Sequence, residues 1–286
     1  MPSQAQIEKQ IRTVEDLRDV IGSMRSLAAI YLRRAEERLD GLRAYADTVG
    51  RAIEDCLFGR VIRLPEGPSR RRDLVLAFFS EQGLCGRFNE VMAEAAAENA
   101  PSLDRPAFLV VGRRGPGLLR RAGLDIAAEL PSATSPDGAD AVIHRTAKRV
   151  LGLLAEERFA RLHLLHARYL SPGRIEPNFE RVLPIDLDRL RKQSDPHRPQ
   201  PTLALPRLGL LAELAHEHAF VSLFRAMTES LASENGMRLH SMEAARNNIE
   251  DKLSELQLRE RIQRQNEITS ELLDVIGGAE ALAVSG

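Results

Sequence analysis

Residues 7–53 of the chain read IEKQIRTVEDLRDVIGSMRSLAAIYLRRAEERLDGLRAYADTVGRAI. From Ile7 to Ile53 the apolar residues recur at a mean spacing of about 3.5, which is the period of a left-handed coiled coil. Three glycines interrupt the stretch, and each weakens a helix by up to about 1 kcal/mol relative to alanine. They are Gly22, Gly41 and Gly50. The stretch therefore predicts one long helix that needs a partner.

The partner is predicted at the other end of the chain. Between residues 210 and 276 there is no proline and the only glycine is Gly236, so one helix of roughly 100 Å can form. Polar residues interrupt its apolar stripe, which fixes the register of a coiled coil at a cost in stability. The pair Gly277-Gly278 predicts the end of the helix. We expect the two helices to pack as an antiparallel coiled coil.

The residues between the two helices follow a different pattern. Short apolar stretches predict buried strands at Asp73–Phe79, Ala107–Val111 and Arg161–Tyr169, with an edge strand at Ile175–Leu183. Helical stretches alternate with them at Asn89–Asn99, Gly115–Ala122 and Gly138–Arg158. This β-α-β-α order predicts a mainly parallel sheet covered by helices.

The predicted fold class is α/β: a long antiparallel two-helix coiled coil with an inserted Rossmann-like α/β domain. The helices are assigned to residues 1–60 and 207–280, and the inserted domain to residues 70–190. Four prolines between residues 191 and 206 predict an extended linker.

Composition excludes several classes of function. The chain has 40 Lys and Arg residues against 41 Asp and Glu residues, a formal charge of −1, which argues against nucleic acid as a partner. No apolar stretch approaches the roughly 20 residues of a membrane span, and the polar start predicts a cytoplasmic protein. Cys56 and Cys85 make neither a disulfide framework nor a zinc site.

The residues give little support to an enzyme. Gly112–Gly117 reads G-x-x-G-x-G, and Gly83–Gly86 lacks the Lys-Ser or Lys-Thr of a phosphate loop, so no nucleotide site is predicted. Cys85 has no evident base. The histidine pairs have too few neighbouring ligands for a metal and are interpreted as surface or packing residues. They are His163 with His166 and His216 with His218. No cofactor or metal is expected, and a static coiled-coil scaffold or adaptor remains open.

Four motifs resemble the gamma subunit of F-type ATP synthases, in that family's order. Residues 230–248 (SLASENGMRLHSMEAARNN) are similar to ALxSE followed by ARMxAMxxAxxN, and residues 265–282 to RQxxITxELxEIVxGAxAL. Residues 24–35 resemble AMxMVAAxKxRxA, and residues 80–86 (SEQGLCG) resemble SDRGLCG. Departures include Asp19-Val20-Ile21, Tyr31 and Arg87, which suggest a divergent branch such as the sodium-type or N-type ATPases.

The resemblance implies a non-catalytic rotor in the central stalk. It turns inside a ring of alpha and beta subunits and also contacts the epsilon subunit and the membrane c-ring. Its place would be peripheral, on the cytoplasmic side of the bacterial inner membrane. The matching positions at the upper shaft, which face a beta-subunit loop, are Arg264, Gln265 and Thr269. Those near an acidic lever of beta are Met24, Arg25 and Arg238.

The residues by themselves allow plainer interpretations. Met24 lies on the apolar seam, so it could simply pack there. Arg238, Arg261 and Arg264 could be solvated helix charges that contribute under about 1 kcal/mol each.

Overall fold

The computed structural model describes residues 4–58, 72–155, 159–186 and 206–284. The chain forms two compact units: residues 1–26 with 242–286, and residues 27–241. The predicted linker at 191–206 lies outside the described residues, apart from Pro206.

The unit of residues 27–241 contains one five-stranded sheet in the order β3-β2-β1-β4-β5. The strands are β1 (Arg72–Phe78), β2 (Ala107–Val111), β3 (Ile126–Leu130), β4 (Phe159–Ser171) and β5 (Arg174–Leu183). β1 to β4 run parallel and β5 is antiparallel to β4. The predicted strands are confirmed, and β3 is an addition that the sequence pattern did not indicate.

Helices cover both faces of the sheet. They are α2 (Phe88–Asn99), α3 (Gly115–Arg121) and α4 (Ala139–Ala155). Leu74, Leu76 and Phe78 of β1 face a core that includes α4, whereas Val75 and Ala77 face a core that includes α2 and α3. A strand buried on both faces must be apolar throughout, which explains the continuous apolar run of β1.

The two long helices are α1 (Gln4–Leu57) and α5 (Arg207–Val284). The prediction that α5 ends at Gly277-Gly278 was wrong, because the helix continues to Val284. Two glycines lower helix stability without blocking the backbone hydrogen bonds, and the helix-favouring residues 279–282 follow them. Among the described residues, no helix combines the length and the apolar content that crossing a bilayer requires.

Within residues 27–241 the two helices pack antiparallel, as predicted. Leu32, Ala35 and Leu39 of α1 pack against Ala232 of α5. Further along α1, Val49 and Ile53 pack with Leu211 of α5. Ala35 and Ile53 are fully buried. The narrow row of apolar residues that the sequence indicates on α1 is therefore the surface that contacts α5.

The other unit is also a helix pair. Ile7 of α1 is buried, as are Leu253 and Leu256 of α5. At the other end of this unit, Nη1 of Arg25 lies 2.6 Å from Oε2 of Glu243. The pairing is therefore antiparallel here too.

Candidate functional site

Met24 and Arg25 lie on the α1 surface of the unit formed by residues 4–26 and 242–284. Met24 is half-buried. Arg25 donates a 2.6 Å hydrogen bond to Glu243 and stays about one-third exposed. This bond is the main reason why the pKa of Glu243 is lowered. An open groove beside the pair has charged and hydroxyl side chains along it, including Arg18, Ser23 and Glu250. Of the two predicted residues, Arg25 thus lines an open polar groove, whereas Met24 does not.

Arg238 is in a different environment, inside the unit of residues 27–241. Only 8% of this arginine is exposed. Its guanidinium donates to Oε1 of Glu234 at 2.6 Å, to Oδ1 of Asn235 at 3.0 Å and to the backbone oxygen of Gly83 at 3.3 Å. Arg238 therefore connects α5 to the loop after β1, and it is not the solvated helix charge that the plainer interpretation described.

The loop held by Arg238 carries the SEQGLCG motif. Oγ of Ser80 donates to the Gln82 carbonyl at 2.6 Å, and Nδ2 of Asn89 lies 3.3 Å from the Cys85 sulfur. Leu84 adopts φ 63° and is 60% exposed, so its side chain points away from this network. A non-glycine residue in this conformation persists only where its surroundings fix the backbone.

Glu234, the partner of Arg238, is deeply buried. Burial raises the pKa of its carboxyl to about 7, and the nearby Arg238 charge offsets this effect only in part. The Glu234–Arg238 pair therefore keeps a carboxyl that titrates near neutrality inside the fold.

Arg264, Gln265 and Thr269 lie on the exposed part of α5. Arg264 is 3.9 Å from Glu260, one turn earlier. The Thr269 hydroxyl donates a 2.8 Å hydrogen bond to the backbone oxygen of Gln265, so its proton is used within α5. All three side chains face solvent.

Apolar side chains accompany them on this part of α5. Past Leu256, no side chain that the structure describes is buried. Large apolar residues are nevertheless frequent there, each at least half exposed: Leu258, Ile262, Ile268, Leu272, Leu273 and Ile276. An exposed apolar surface of this kind marks a site of interaction with another protein.

Two glycines of the stretch Gly112–Gly117, which was tested above as a nucleotide-binding motif, have packing roles. Gly112 has φ 111°, and a Cβ there would lie 2.1 Å from the Phe79 carbonyl oxygen. A Cβ on Gly115 would meet the Phe79 ring at 2.5 Å. Both glycines allow the loop after β2 to approach the end of β1, which accounts for them without a ligand.

Cys85 is not arranged as a nucleophile. Its thiol is buried, and burial is the largest cause of its raised pKa. A thiol with a raised pKa stays protonated and unreactive at neutral pH. Within the residues that the structure describes, no group of three or more His, Cys, Asp or Glu side chains is arranged to hold a metal ion.

The histidines of β4 correct part of the sequence interpretation. His163 and His166 are both buried, so neither is a surface residue. His163 stacks on Phe179 with ring centroids 5.2 Å apart. His166 lies between Glu180 and Glu229. No sequence motif connects residues 166, 180 and 229, so only the folded chain reveals this group.

The fold agrees with the comparisons to known proteins. A family model described as ATP synthase matches residues 3–282. Because this match covers nearly the whole chain, the chain belongs to the ATP synthase gamma-chain family.

Individual relatives support the assignment. The chain is 28% identical to the ATP synthase gamma chain of Bdellovibrio bacteriovorus, with 99% of each chain covered. It is 29% identical to that of Anaeromyxobacter sp. (strain Fw109-5), covering 99% of this chain and 100% of the relative. A chain in the Euglena gracilis mitochondrial ATP synthase structure (OSCP/F1/c-ring) has the same fold, with a TM-score of 0.67 at 15% identity, and 98% and 94% of the two chains covered.

Proposed function

We propose that this chain is the central-stalk rotor subunit of an F-type ATP synthase. It couples ion flow through a membrane ring to conformational change in the catalytic beta subunits by rotation. The observation that carries the proposal is the antiparallel pairing of the two chain ends around an α/β insert, in a chain whose last helix exposes an apolar surface past Leu256. The family assignment supports the same function.

The proposed mechanism needs no catalytic group in this chain. A two-helix shaft presents a different side chain to each subunit around it and thereby favours a different conformation in each. In the unit of residues 4–26 and 242–284, the side with Arg25 and Glu243 is charged. Further along α5, the exposed side chains of Ile262 and Ile268 are apolar. Rotation would carry these unlike surfaces past each beta subunit in turn.

The partners follow from this role. The alpha and beta subunits would surround the helix pair, and the epsilon subunit and the c-ring would bind the end that carries the insert. The complex would hold the chain peripherally on the cytoplasmic side of the bacterial inner membrane. In terms of segments, residues 1–60 and 207–280 would act as the shaft and residues 70–190 as the domain that joins it to the rotor ring.

Under this proposal, five of the six predicted contact residues touch beta directly, and Arg238 acts indirectly. Met24 and Arg25 would face the acidic lever of beta, while Arg264, Gln265 and Thr269 would meet a beta loop at the upper shaft. Arg238 would act indirectly, because it is bonded to the Gly83 carbonyl and so holds the SEQGLCG loop, which exposes Leu84.

Direct observation of rotation tests the proposal. A complex of alpha, beta and this chain is immobilised through beta, and a bead is attached to a cysteine introduced at the exposed Lys148 of α4. The native Cys56 and Cys85 are buried and should not compete for the label. We expect the bead to rotate in one direction with ATP and to stop without it.

The same experiment separates the alternatives. A static scaffold would leave the bead fixed while the complex hydrolyses ATP, and this result would refute the rotor. The enzyme alternative is tested by titrating the isolated chain with ATP, for which we expect no saturable binding.

Met24→Lys is expected to impair coupling more than folding. The new ammonium would form an ion pair with the acidic lever of beta as it passes. At about 0.5–1 kcal/mol, such a pair corresponds to a roughly two- to five-fold change in an equilibrium. Ions pumped per ATP should therefore fall, while the unfolding temperature changes little. Met24→Leu is the control, and equal pumping by the Lys variant and the parent complex would contradict the prediction.

Truncation after Gly277 is expected to weaken assembly without abolishing it, since most of α5 precedes this residue. The measurement is the yield of complex with alpha and beta subunits in size-exclusion chromatography. Complete loss of the complex would show that residues 278–286 are essential for assembly.

A further inference from the structure

A partly buried group of charged side chains, with His166 at its centre, joins the sheet to α5 within residues 27–241. Nδ1 of His166 in β4 lies 3.1 Å from Oε2 of Glu229 in α5. Its Nε2 lies 3.6 Å from Oε1 of Glu180 in β5. Arg225, one turn before Glu229, donates a 2.7 Å hydrogen bond to Glu180. The side chains of His166 and Glu229 are 0% and 8% exposed, whereas those of Arg225 and Glu180 are 28% and 27% exposed.

The charge balance of the group depends on one proton. With a neutral imidazole, Glu180 and Glu229 face a single contacting cation, Arg225. With a protonated imidazole, two anions face two cations. Burying an unbalanced charge is far more costly than burying a balanced set. The arrangement therefore favours the imidazolium form of His166.

Other charged groups face this cluster from each element packed around it. Arg168 of β4 acts on Glu229 through its charge. His218 of α5 is a neighbour of Glu180, and burial is the main reason why the pKa of His218 is lowered. Side chains of α1 border the cleft on the outer side of Glu229: Arg33, Glu36, Glu37, Asp40 and Arg43. These α1 charges are of mixed sign, and the contacts with His166 itself come from β5 and α5.

Asn178 is in a position to respond to the proton. It lies directly across from His166 in the β4–β5 ladder, with Nδ2 2.8 Å from Nε2 of the ring. This arrangement suits a neutral ring, whose Nε2 accepts. A half turn of the amide brings its oxygen to the same place, where it accepts from a protonated Nε2. Either state of the ring thus has a partner in β5.

We propose that His166 is a positioning residue whose protonated ring, held between Glu180 and Glu229, fixes α5 against the sheet; we call this arrangement the lock. Loss of the proton weakens the contact between α5 and the sheet. Glu229 precedes Ser230, whose hydroxyl accepts a 3.2 Å hydrogen bond from the backbone of Ala167 in β4. The next side chain along the same stretch of α5, Leu231, lies in the core shared with β1 and α4. The lock therefore acts where α5 contacts the sheet.

The direction of the pH dependence follows from the neighbours. Burial alone would lower the pKa of His166, but the neighbouring carboxylates of Glu180 and Glu229 outweigh burial and raise it. Burial likewise opposes ionisation of Glu180, yet His166 and Arg225 lower its pKa to about 2. A raised histidine pKa stabilises the fold below about pH 6.5, and this contribution is lost as pH rises through the folded-state pKa. The contact between α5 and the sheet should therefore weaken as the pH rises.

Titration of the histidine rings in the full chain tests the proposal directly. The probe is the ring 13Cε1 resonance in 13C-histidine-labelled protein, with His166 assigned by its loss in His166→Gln. We expect His166 to titrate above the value of about 6.5 for free histidine. His163 is the internal control: it is buried on the same strand, and burial lowers its pKa. If His166 titrates at or below the free value, the proposal is wrong.

A second variant keeps the ring and removes one anion. Glu229→Gln should lower the titration midpoint of His166, because the closest carboxylate is gone. Glu243→Gln, at an exposed ion pair of α5 in the other unit, should leave the midpoint unchanged. An unchanged midpoint in Glu229→Gln would also refute the lock.

Amide exchange then tests the link to α5. In the parent chain, opening of residues 222–233, corrected for the intrinsic exchange rate, should increase on raising the pH from 7 to 9. In His166→Gln the opening should be frequent at both values, because the glutamine carries no charge to lose. An equal pH dependence in parent and variant would overturn the proposal.

The consequence for coupling rests on the proposed rotor function. In the assembled complex, ions pumped per ATP should fall more steeply towards alkaline pH in the parent than in His166→Gln. If His166 titrates as expected but both complexes respond equally, the lock does not position the rotor. If the bead on Lys148→Cys does not rotate at all, the proposed function itself fails.

Discussion

Gly112→Ala is expected to destabilise the unit of residues 27–241 by about 3 to 5 kcal/mol. The residue has φ 111°, a conformation that disfavours any Cβ. The added methyl carbon would also lie 2.1 Å from the Phe79 carbonyl oxygen, which is backbone and cannot move aside. Phe79 is held by a 2.7 Å hydrogen bond to Val111. Urea unfolding of the full chain measures the change.

Gly117→Ala is the matched control for this prediction. Gly117 lies in α3, five residues further along, and a Cβ there meets no atom within 4 Å. Alanine in a helix is favoured over glycine by up to about 1 kcal/mol, so this variant should be neutral or slightly more stable. Equal losses of stability in the two variants would mean that close approach at Gly112 is not the cause.

Arg238→Ala is expected to cost about 3–5 kcal/mol, because it leaves the buried Glu234 without its cation. The loss should depend on pH. The pKa of Glu234, already raised to about 7 by burial, rises further when Arg238 is removed. A protonated carboxyl is less costly to bury, so the variant should lose less stability at pH 5.5 than at pH 8. Urea unfolding at the two pH values provides the measurement.

Two controls accompany Arg238→Ala. Adding Glu234→Ala removes the unpaired carboxyl and should recover part of the stability, as a double-mutant cycle would report. Arg259→Ala removes an arginine with the same spacing from a glutamate, Glu255, on the same helix, but that pair is exposed. It should change stability little. A single Arg238→Ala variant as stable as Arg259→Ala would contradict the buried-pair account.

The sequence predicted the elements whose residues share one kind of environment. The apolar run of β1 is buried on both faces, and the narrow seam of α1 lies against one partner. In both cases the sequence pattern reflects a uniform environment, which is burial on both faces for β1 and one contact surface for α1. β3 was missed because it is a short edge strand, half exposed, with alanines and Glu129 in place of β-branched residues.

The misjudged residues depend on contacts between distant parts of the chain. Arg238 looked like a helix charge, yet the Gly83 carbonyl, 155 residues earlier, draws it inside. His166 was interpreted as a surface or packing residue, and it is buried, but the sequence did not show that its ring lies between Glu180 of β5 and Glu229 of α5. No local pattern carries this information, since each contact forms only after the sheet and α5 are assembled. The pair Gly277-Gly278 is a separate case: two glycines weaken a helix without ending it, and α5 continues to Val284. The six candidate contact residues themselves stay a prediction from family resemblance.

The antiparallel pairing of α1 with α5 also affects how the chain is made. Ile53 leaves the ribosome early, whereas its partner Leu211 is translated more than half the chain later. At about 5–20 residues per second, roughly 8 to 30 s pass between translation of Ile53 and of Leu211, and during this time the apolar residues of α1 have no partner helix. During synthesis the apolar side chains of α1 therefore stay without their partner helix until most of the chain has been made, which favours transient non-native contacts of α1 over this period.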